Sequence, residues 1–129
     1  MALSDINVVS FGYLHGPAPE FAHITVDLRR HFRDPHIDTS LRYQSAEDLP
    51  VRAAVLATPG IQELIAATAA LAEAYDAGPV EAPLTIAVGC KGGRHRAATV
   101  ARVLARRLGK TGVTVRLTHR DLDKPVVER

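Results

Sequence analysis

The chain of 129 residues is 47% hydrophobic and 23% charged, a composition that fits one globular domain with a single modest core. No apolar run approaches the roughly 20 residues that cross a bilayer, and residues 1–13 lack the features of a secretory signal, so we expect a cytoplasmic protein. The single cysteine, Cys90, excludes an internal disulfide bond and a cysteine-rich zinc site.

Basic and acidic residues are distributed unevenly along the chain. Residues 1–81 hold five Lys/Arg and eleven Asp/Glu, whereas residues 82–129 hold eleven Lys/Arg and three Asp/Glu. No acidic residue occurs between Ala82 and Arg120. This asymmetry indicates an anionic partner for the second half, although a solvated basic helix face would give the same pattern.

The first predicted elements are two strands and two helices. Strands are predicted at 6–13 and 23–28, and the polar, aperiodic stretch 29–47 is predicted to be a long functional loop. A short helix follows, capped by Asp48 with Pro50 in its first turn. The next helix is capped by Thr58 with Pro59 at its first position. Its apolar stripe is predicted to consist of Ile61, Leu64, Ile65, Thr68, Leu71, Ala72 and Tyr75.

The remaining elements are a strand at 84–88, a helix at 95–108 and a last strand at 113–118. The alternation of strands and helices predicts a single compact α/β domain over residues 1–129. We expect a four-stranded, mostly parallel sheet flanked by helices. Ligands of such sheets bind at the carboxyl ends of the strands.

A glycine-rich loop, GCKGGRHR at 89–96, joins the third strand to the next helix. Glycines let backbone amides approach a ligand closely, and a helix start offers unpaired N–H groups and a positive dipole end. Lys91, Arg94, His95 and Arg96 would surround the same point. We therefore expect a phosphate-binding loop between the third strand and its helix. The alternative is a tight turn whose glycines serve packing.

The loop lacks the glycine spacing of nucleotide P-loops and of dinucleotide-binding folds. It does match C-x5-R, from Cys90 to Arg96, the spacing of cysteine-dependent phosphatases. The hydroxyl that usually follows the arginine is absent, because Ala97 stands there. Asp34 and Asp121 are the candidates for a general acid. A phosphomonoester hydrolase that uses Cys90 and Arg96 is therefore the alternative to a binding domain.

Four segments resemble, in order, the C-terminal domain of the bacterial RNase adapter RapZ family. They are SFGYLHGPAP, VDLRRHFRDPH, GCKGGRHRAATVARVLARRL and VRLTHRDLDK. The resemblance covers about residues 8–124. It implies a cytoplasmic sensor of an aminosugar phosphate, glucosamine 6-phosphate, that binds small regulatory RNAs presented to RNase E and is not an enzyme. Full-length family members also carry a kinase-like P-loop domain, and since this sequence starts at the C-terminal domain, no ATP site and no cofactor are expected.

The resemblance carries over to individual residues. Its phosphate loop corresponds to the 90–96 stretch, with Lys91 in place of Thr and Ala97 in place of Ser. The ligand-binding residues that we predict are Arg29, His36, Cys90, Lys91, Gly92, Gly93, Arg94, His95, Arg96 and His119. Arg96 and the loop amides are expected on the phosphate of a sugar phosphate or nucleotide, so that Arg96→Ala weakens binding by about 1.5 to 3 kcal/mol.

RNA is the second partner that the sequence suggests. Arg102, Arg106 and Lys110 fall four residues apart on one helical face, and Arg120 follows the last strand. Such a face can track phosphates, but a solvent-exposed helix shows the same stripe. The opposite, apolar face consists of Ala97, Val100, Ala101, Leu104 and Leu108. The spacing of the six histidines predicts no metal site, and homo-oligomer formation is left open.

Overall fold

A four-stranded sheet forms the centre of this protein in a computed structural model, which describes residues 5–128. Residues 1–4 and 129, the two ends of the predicted domain, lie outside the described residues. The elements are β1 (Ile6–Gly12), β2 (Ile24–Asp27), α1 (Leu49–Leu56), α2 (Ile61–Asp76), β3 (Leu84–Cys90), α3 (Arg96–Gly109) and β4 (Val115–His119). One-turn 3-10 segments lie at Tyr13–His15 and Pro35–Ile37.

The sheet has the strand order β2-β3-β1-β4, and each neighbouring pair is parallel. The predicted α/β class and four-stranded sheet are therefore confirmed. Because the strands are parallel, the segments that follow all four of them leave the sheet at the same edge. The loop after β3 and the long segment after β2 meet there, and this edge holds the candidate site.

The three helices pack on one face of the sheet. Ile6 and Val8 of β1 and Ile86 of β3 belong to the same buried cluster as Val100 and Leu104 of α3. Side chains alternate between the two faces of a strand, so residues between these positions point the other way. On that opposite face, residues that stay partly or fully exposed are Asn7, Val9, Thr25 and Thr118.

The helix starts differ in part from the sequence-based expectation. Asp48 stands directly before α1, but its carboxylate accepts a hydrogen bond from the Ser45 amide and does not cap the helix. The prediction that Thr58 caps α2 is wrong. Thr58 donates its hydroxyl to the Ala54 carbonyl of the preceding helix, and α2 begins after Gly60, which has a φ of 91°.

The predicted stripe of α2 is too wide. Its buried residues are Ile61, Ile65, Thr68, Ala69 and Ala72, whereas Leu71 and Tyr75 are exposed. At about 100° per residue, Leu71 and Tyr75 lie on the edge of the stripe that Ile65 and Ala72 define. Leu71 and Tyr75 therefore remain outside the contact that α2 makes with the core.

The ends of two strands also differ from those predicted from the sequence. β3 continues to Cys90, because Gly89 and Cys90 still pair with Phe11 and Gly12 of β1. β4 begins at Val115, two residues later than predicted.

Among the described residues, no single helix is long and apolar enough to cross a membrane; α1 and α2 meet that criterion only when taken together, and they are bent by 83°. The cytoplasmic location stays a prediction.

Candidate phosphate-binding site

Two adjoining hollows lie at the carboxyl edge of the sheet. The basic pocket, an open hollow of about 540 Å³, is lined by Arg29, Phe32, Arg33, Asp34, His36, Ile37, Arg42, Lys91 and Arg96. The narrow cleft, of about 10 Å³, is lined by Asp34, His36, Arg42, Cys90, Gly92, Arg94, His95, Val126 and Val127. Three of these residues line both. Of the predicted ligand-binding residues, the structure thus brings together all except Gly93 and His119 around these two neighbouring hollows.

The loop glycines pack against the end of β1. A Cβ atom on Gly12 would lie 2.3 Å from the carbonyl carbon of Gly92 and 2.7 Å from the amide nitrogen of Gly93. Gly93 itself has a φ of 79°, a conformation that other residues rarely adopt. The close approach of the loop to the end of β1 therefore depends on glycine at these positions, and whether the loop also binds a phosphate stays a prediction.

Cys90 lies beneath the loop that it starts. Its side chain is buried, with 2% of its surface exposed, and its Sγ accepts hydrogen bonds from the amides of Gly93 (3.3 Å) and Ala97 (3.4 Å). The sulfur thus fixes the curvature of the loop at the start of α3. It contributes to the wall of the narrow cleft and not to the basic pocket.

Arg96 ties the loop to the segment after β2. Its side chain is almost fully buried, with 1% of the residue exposed. Nη1 donates to the carbonyl oxygens of Leu28 (2.9 Å), Arg29 (3.3 Å) and Phe32 (3.1 Å). Nη2 forms an ion pair with Asp34 at 3.1 Å. Nε is buried and has no hydrogen-bond partner among the described residues. Arg96 is also one of the residues that line the basic pocket.

His95 fastens the loop to the segment that precedes α1. Its Nε2 lies 2.7 Å from the carbonyl oxygen of Gln44, so Nε2 carries the proton of the neutral ring. Burial lowers the pKa of His95, and the hydrogen bond with Gln44 opposes this shift. The neutral imidazole is therefore the form that the fold favours.

Arg94 holds the C-terminal segment. Its Nη1 donates to the carbonyl oxygens of Leu122 (3.1 Å) and Lys124 (3.2 Å). Its Nη2 donates to the carbonyl oxygen of Tyr43 at 3.1 Å. Like that of Arg96, its Nε is buried without a hydrogen-bond partner in the described part of the chain. Within residues 5–128, the hydrogen bonds of this guanidinium group all go to neutral carbonyl oxygens.

Arg29 stands at the rim of the basic pocket. Its Nε and Nη2 donate to the carboxylate of Asp27, and its guanidinium carbon lies 3.5 Å from the centre of the Tyr13 ring. The hydrogen bond from Arg29 lowers the pKa of Asp27. Ion pair and ring together hold the guanidinium group in place, and Nη1 makes no hydrogen bond to another described residue.

The basic pocket collects positive charge from segments that are far apart in the sequence. Lys91 is exposed, and its ammonium group makes no hydrogen bond or ion pair within residues 5–128. The only acidic side chain among the described lining residues is Asp34, which pairs with Arg96. The cationic lining residues are Arg29, Arg33, Arg42, Lys91 and Arg96. Positive charge therefore exceeds negative charge in this hollow.

Sequence reasoning missed Arg33 and Arg42. Both lie in the 29–47 segment, which was predicted to be functional without any choice among its arginines. Arg42 is placed by its own Nε, which donates to the carbonyl oxygen of His36 at 2.9 Å. Their role could have been predicted from the high number of arginines in this segment, because the segment follows the carboxyl end of a strand.

Asp121 and Arg120 hold the end of β1 on the other side of the loop. The buried carboxylate of Asp121 accepts from the Gly12 amide at 2.7 Å and pairs with Arg120 (3.0 Å) and Lys124 (2.6 Å). Burial raises the pKa of Asp121, but the bonds from Arg120, Gly12 and Lys124 outweigh it and keep the pKa below its ordinary value. The guanidinium group of Arg120 also donates to the carbonyl of Pro17.

The remaining predicted residues lie away from the two hollows. His119, on β4, has its Nδ1 2.6 Å from the hydroxyl of Ser10 and lines neither hollow. Burial lowers the pKa of His119, and Arg102 lowers it further. On the side of α3 away from the apolar face, Arg106 is exposed and Arg102 is half-buried, and Lys110, which directly follows the helix, is also exposed.

The geometry gives no support to phosphatase chemistry. A nucleophilic thiol must be open to its substrate, whereas Cys90 is buried. Asp121, one candidate for the general acid, is already held by Gly12, Arg120 and Lys124. The arrangement is suited instead to holding an anion by hydrogen bonds and charge.

Comparison with known proteins identifies relatives of most of the chain. The profile of a family described as the RapZ C-terminal domain matches residues 4–123. A nucleotide-binding protein of Frankia alni is 42% identical over 120 residues, which is 91% of this chain and 41% of the relative. Nucleotide-binding proteins of Thermobifida fusca and Mycolicibacterium smegmatis are 39% and 37% identical, over 92% and 96% of this chain. The chain spans about two fifths of the length of these relatives.

Proposed function

We propose, since this chain belongs to the RapZ C-terminal domain family, that it is a regulatory domain which binds a phosphorylated small molecule in the basic pocket. The observation that carries the proposal is the charge of that pocket. Five cationic side chains line it, against one carboxylate among the described residues. A phosphate group carries the charge and the acceptor oxygens that such a lining would bind.

The unpaired donors at the two hollows also support an anionic ligand. The Nε atoms of Arg94 and Arg96 are buried without a partner in the described structure. A buried donor that makes no hydrogen bond costs about 1–3 kcal/mol, and more on a charged group. A phosphate oxygen that reached either atom would remove that cost, which supports an anionic ligand at this edge of the sheet.

For the ligand, we propose glucosamine 6-phosphate or a related sugar phosphate, with a nucleotide as the second choice. The first follows from the family to which the chain belongs, and the second from the names of the relatives, which are nucleotide-binding proteins. In either ligand the phosphate would lie near Lys91 and Arg96. Arg29 and His36 would line the remainder of the ligand.

Calorimetric titration with glucosamine 6-phosphate tests the proposal, with unphosphorylated glucosamine as the comparison ligand. Saturable binding of the phosphorylated ligand alone is expected. Lys91→Ala should weaken it by about 1.5 to 3 kcal/mol, the range for a hydrogen bond to a charged group. Lys91 suits this test because it is exposed and has no partner within residues 5–128, so its removal leaves the fold intact.

Lys110→Ala is the matched control, since it removes the same charge from the C-terminal end of α3. Equal affinities of the wild-type and Lys91→Ala proteins would contradict the placement of the phosphate. If glucosamine 6-phosphate does not bind and a nucleotide does, the nucleotide is the ligand. Failure of both would contradict a phosphate-binding pocket.

RNA binding by α3 is a second proposal, from a separate observation. Arg106 and Lys110 are exposed, lie on one side of the helix and take part in no ion pair among the described residues. Arg120 is less suited than expected, because its guanidinium group is bonded to Asp121 and to backbone carbonyls. A role as an RNase adapter and homo-oligomer formation stay predictions.

A further inference from the structure

A segment near the C-terminus covers one side of the site. Residues 122–128, here called the strap, follow β4 and run across the narrow cleft. Val126 and Val127 line the cleft together with Cys90 and Gly92. The cleft retains a volume of only about 10 Å³, and the thiol of Cys90 is buried beneath it. The strap therefore contributes to closing the site on the side of the loop.

The strap is anchored at its start, where Leu122 is buried in a cluster with Ala46 and Ala98 and Lys124 pairs with Asp121 at 2.6 Å, and few contacts hold it beyond Lys124. Nη1 of Arg94 binds the carbonyls of Leu122 and Lys124, and the hydroxyl of Tyr43 donates to Oε1 of Glu128 at 2.9 Å. The bonds to Lys124 and Glu128 are exposed to solvent, and Val126 and Val127 are only half-buried. Segments with few buried contacts open locally at low free-energy cost.

A charged acceptor could replace the backbone carbonyls that bind Arg94. Its guanidinium group binds three carbonyl oxygens and has a buried Nε without a partner among the described residues. Hydrogen bonds from a guanidinium group to an ionised oxygen are about twice as strong as those to a neutral oxygen. A phosphate that reached Arg94 would thus compete favourably with the carbonyls of the strap.

We propose that the strap is an exchangeable cover, which competes with an anionic ligand for Arg94 and shields Cys90 until the ligand displaces it. The inference rests on the proposed function, since it supplies the regulation of that same site. The basic pocket and the narrow cleft share Asp34, His36 and Arg42, so an anion in the pocket adjoins the cleft that Arg94 lines. The open site is then only a fraction of the population, and the apparent affinity is reduced by that fraction.

Reactivity of the thiol reports on the strap without any ligand. The chain has one cysteine, so mass spectrometry after treatment with iodoacetamide follows Cys90 alone. In the variant with Val126→Ser and Val127→Ser, which weakens apolar contacts of the strap, we expect the native-state reaction to be about tenfold faster. Tyr43→Phe, which removes only the hydroxyl bonded to Glu128, should act in the same direction. Val80→Ser is the control, since Val80 is exposed and lines neither hollow.

Titration with glucosamine 6-phosphate then tests competition. Both strap variants should bind the ligand several-fold more tightly than the wild type, while Val80→Ser binds like the wild type. Unchanged thiol reactivity and unchanged affinity in both variants would contradict the proposed role of the strap as a cover. The proposed function of the basic pocket would be unaffected. Faster thiol reaction with no binding by any form would overturn the proposed function and, with it, the competition. Urea unfolding of each variant separates loosening of the strap from global destabilisation.

Discussion

Arg96 is the residue for which the expected and the observed roles differ most. Its spacing from Cys90 suggested a phosphate ligand, but its guanidinium group binds three backbone carbonyls and Asp34. Removal of one partner of a buried ion pair typically costs about 3–5 kcal/mol of stability. Arg96→Ala would therefore change the fold as well as the affinity, which is why Lys91 is the better test of binding.

Gly12 gives a sharp prediction at the residue scale. Because a Cβ atom there would clash with the backbone of Gly92 and Gly93, Gly12→Ala should lower the free energy of unfolding by about 1–3 kcal/mol. Gly109→Ala is the control with the opposite sign. Beyond its chain neighbours and the backbone of its own helix, no described atom lies within 4 Å of the added Cβ, so the loss of backbone freedom in the unfolded chain should stabilise the protein by about 0.4–1 kcal/mol. Urea unfolding measures both, and a neutral Gly12→Ala would contradict the close packing of loop and strand.

At the scale of the element, α3 combines three tasks. Its first residues complete the loop, and its buried face packs against the sheet through Val100, Leu104 and Leu108. Its remaining face presents Arg106 and Lys110 to solvent. The apolar face and the basic face were both predictable, because a period of 3.6 residues separates them in the sequence. The helical period does not predict which molecule, if any, binds the basic face.

Salt dependence tests the RNA proposal for α3. If Arg106 and Lys110 contact RNA phosphates, the logarithm of the binding constant should fall linearly with the logarithm of salt concentration. The double variant Arg106→Ala and Lys110→Ala should reduce the slope by about 1 for each lost contact. Fluorescence anisotropy with a labelled structured RNA measures this slope. Arg116→Ala on the edge strand is the control, and an equal decrease of slope in both variants would argue against a specific role of α3.

At the scale of the whole molecule, the site is built from three segments of one sheet edge. The loop after β3, the segment after β2 and the strap after β4 meet because all strands run in parallel. His95, which is buried, joins the loop after β3 to the segment after β2, and His119, which is half-buried, joins β4 to β1. Partial or full burial lowers the pKa of each. The folded state therefore favours their neutral forms, whereas the unfolded chain takes up protons near pH 6.5.

This difference predicts how stability depends on pH. The free energy of unfolding should be at its full value above about pH 6.5 and decrease as the pH falls through 6.5 toward the lower folded pKa values. Urea unfolding between pH 5 and pH 8 measures the slope. His119→Gln should flatten it, and His31→Gln, which changes an exposed ring, serves as the control. Stability that rises on acidification across this range would contradict the inferred neutral forms.

Local patterns in the sequence determined the elements, the class of the fold and the position of the loop. Apolar strands, the periodic helix faces and the glycines at 89–93 depend on near neighbours in the chain, so they could be read in order. The family could also be recognised from motifs, and its profile covers residues 4–123. The width of the apolar stripe on α2 could not be predicted from the sequence, because it depends on how much of the helix surface contacts the core.

Only the tertiary structure decided what each basic residue does. Lys91 and Arg96 lie in one loop, yet one is exposed without a partner in the described structure and the other is buried among carbonyls. Arg33 and Arg42 line the basic pocket, and Val126 and Val127 line the narrow cleft, through contacts between distant parts of the chain. Such contacts follow from the way the parallel strands bring separate segments to one edge, and no local pattern encodes them.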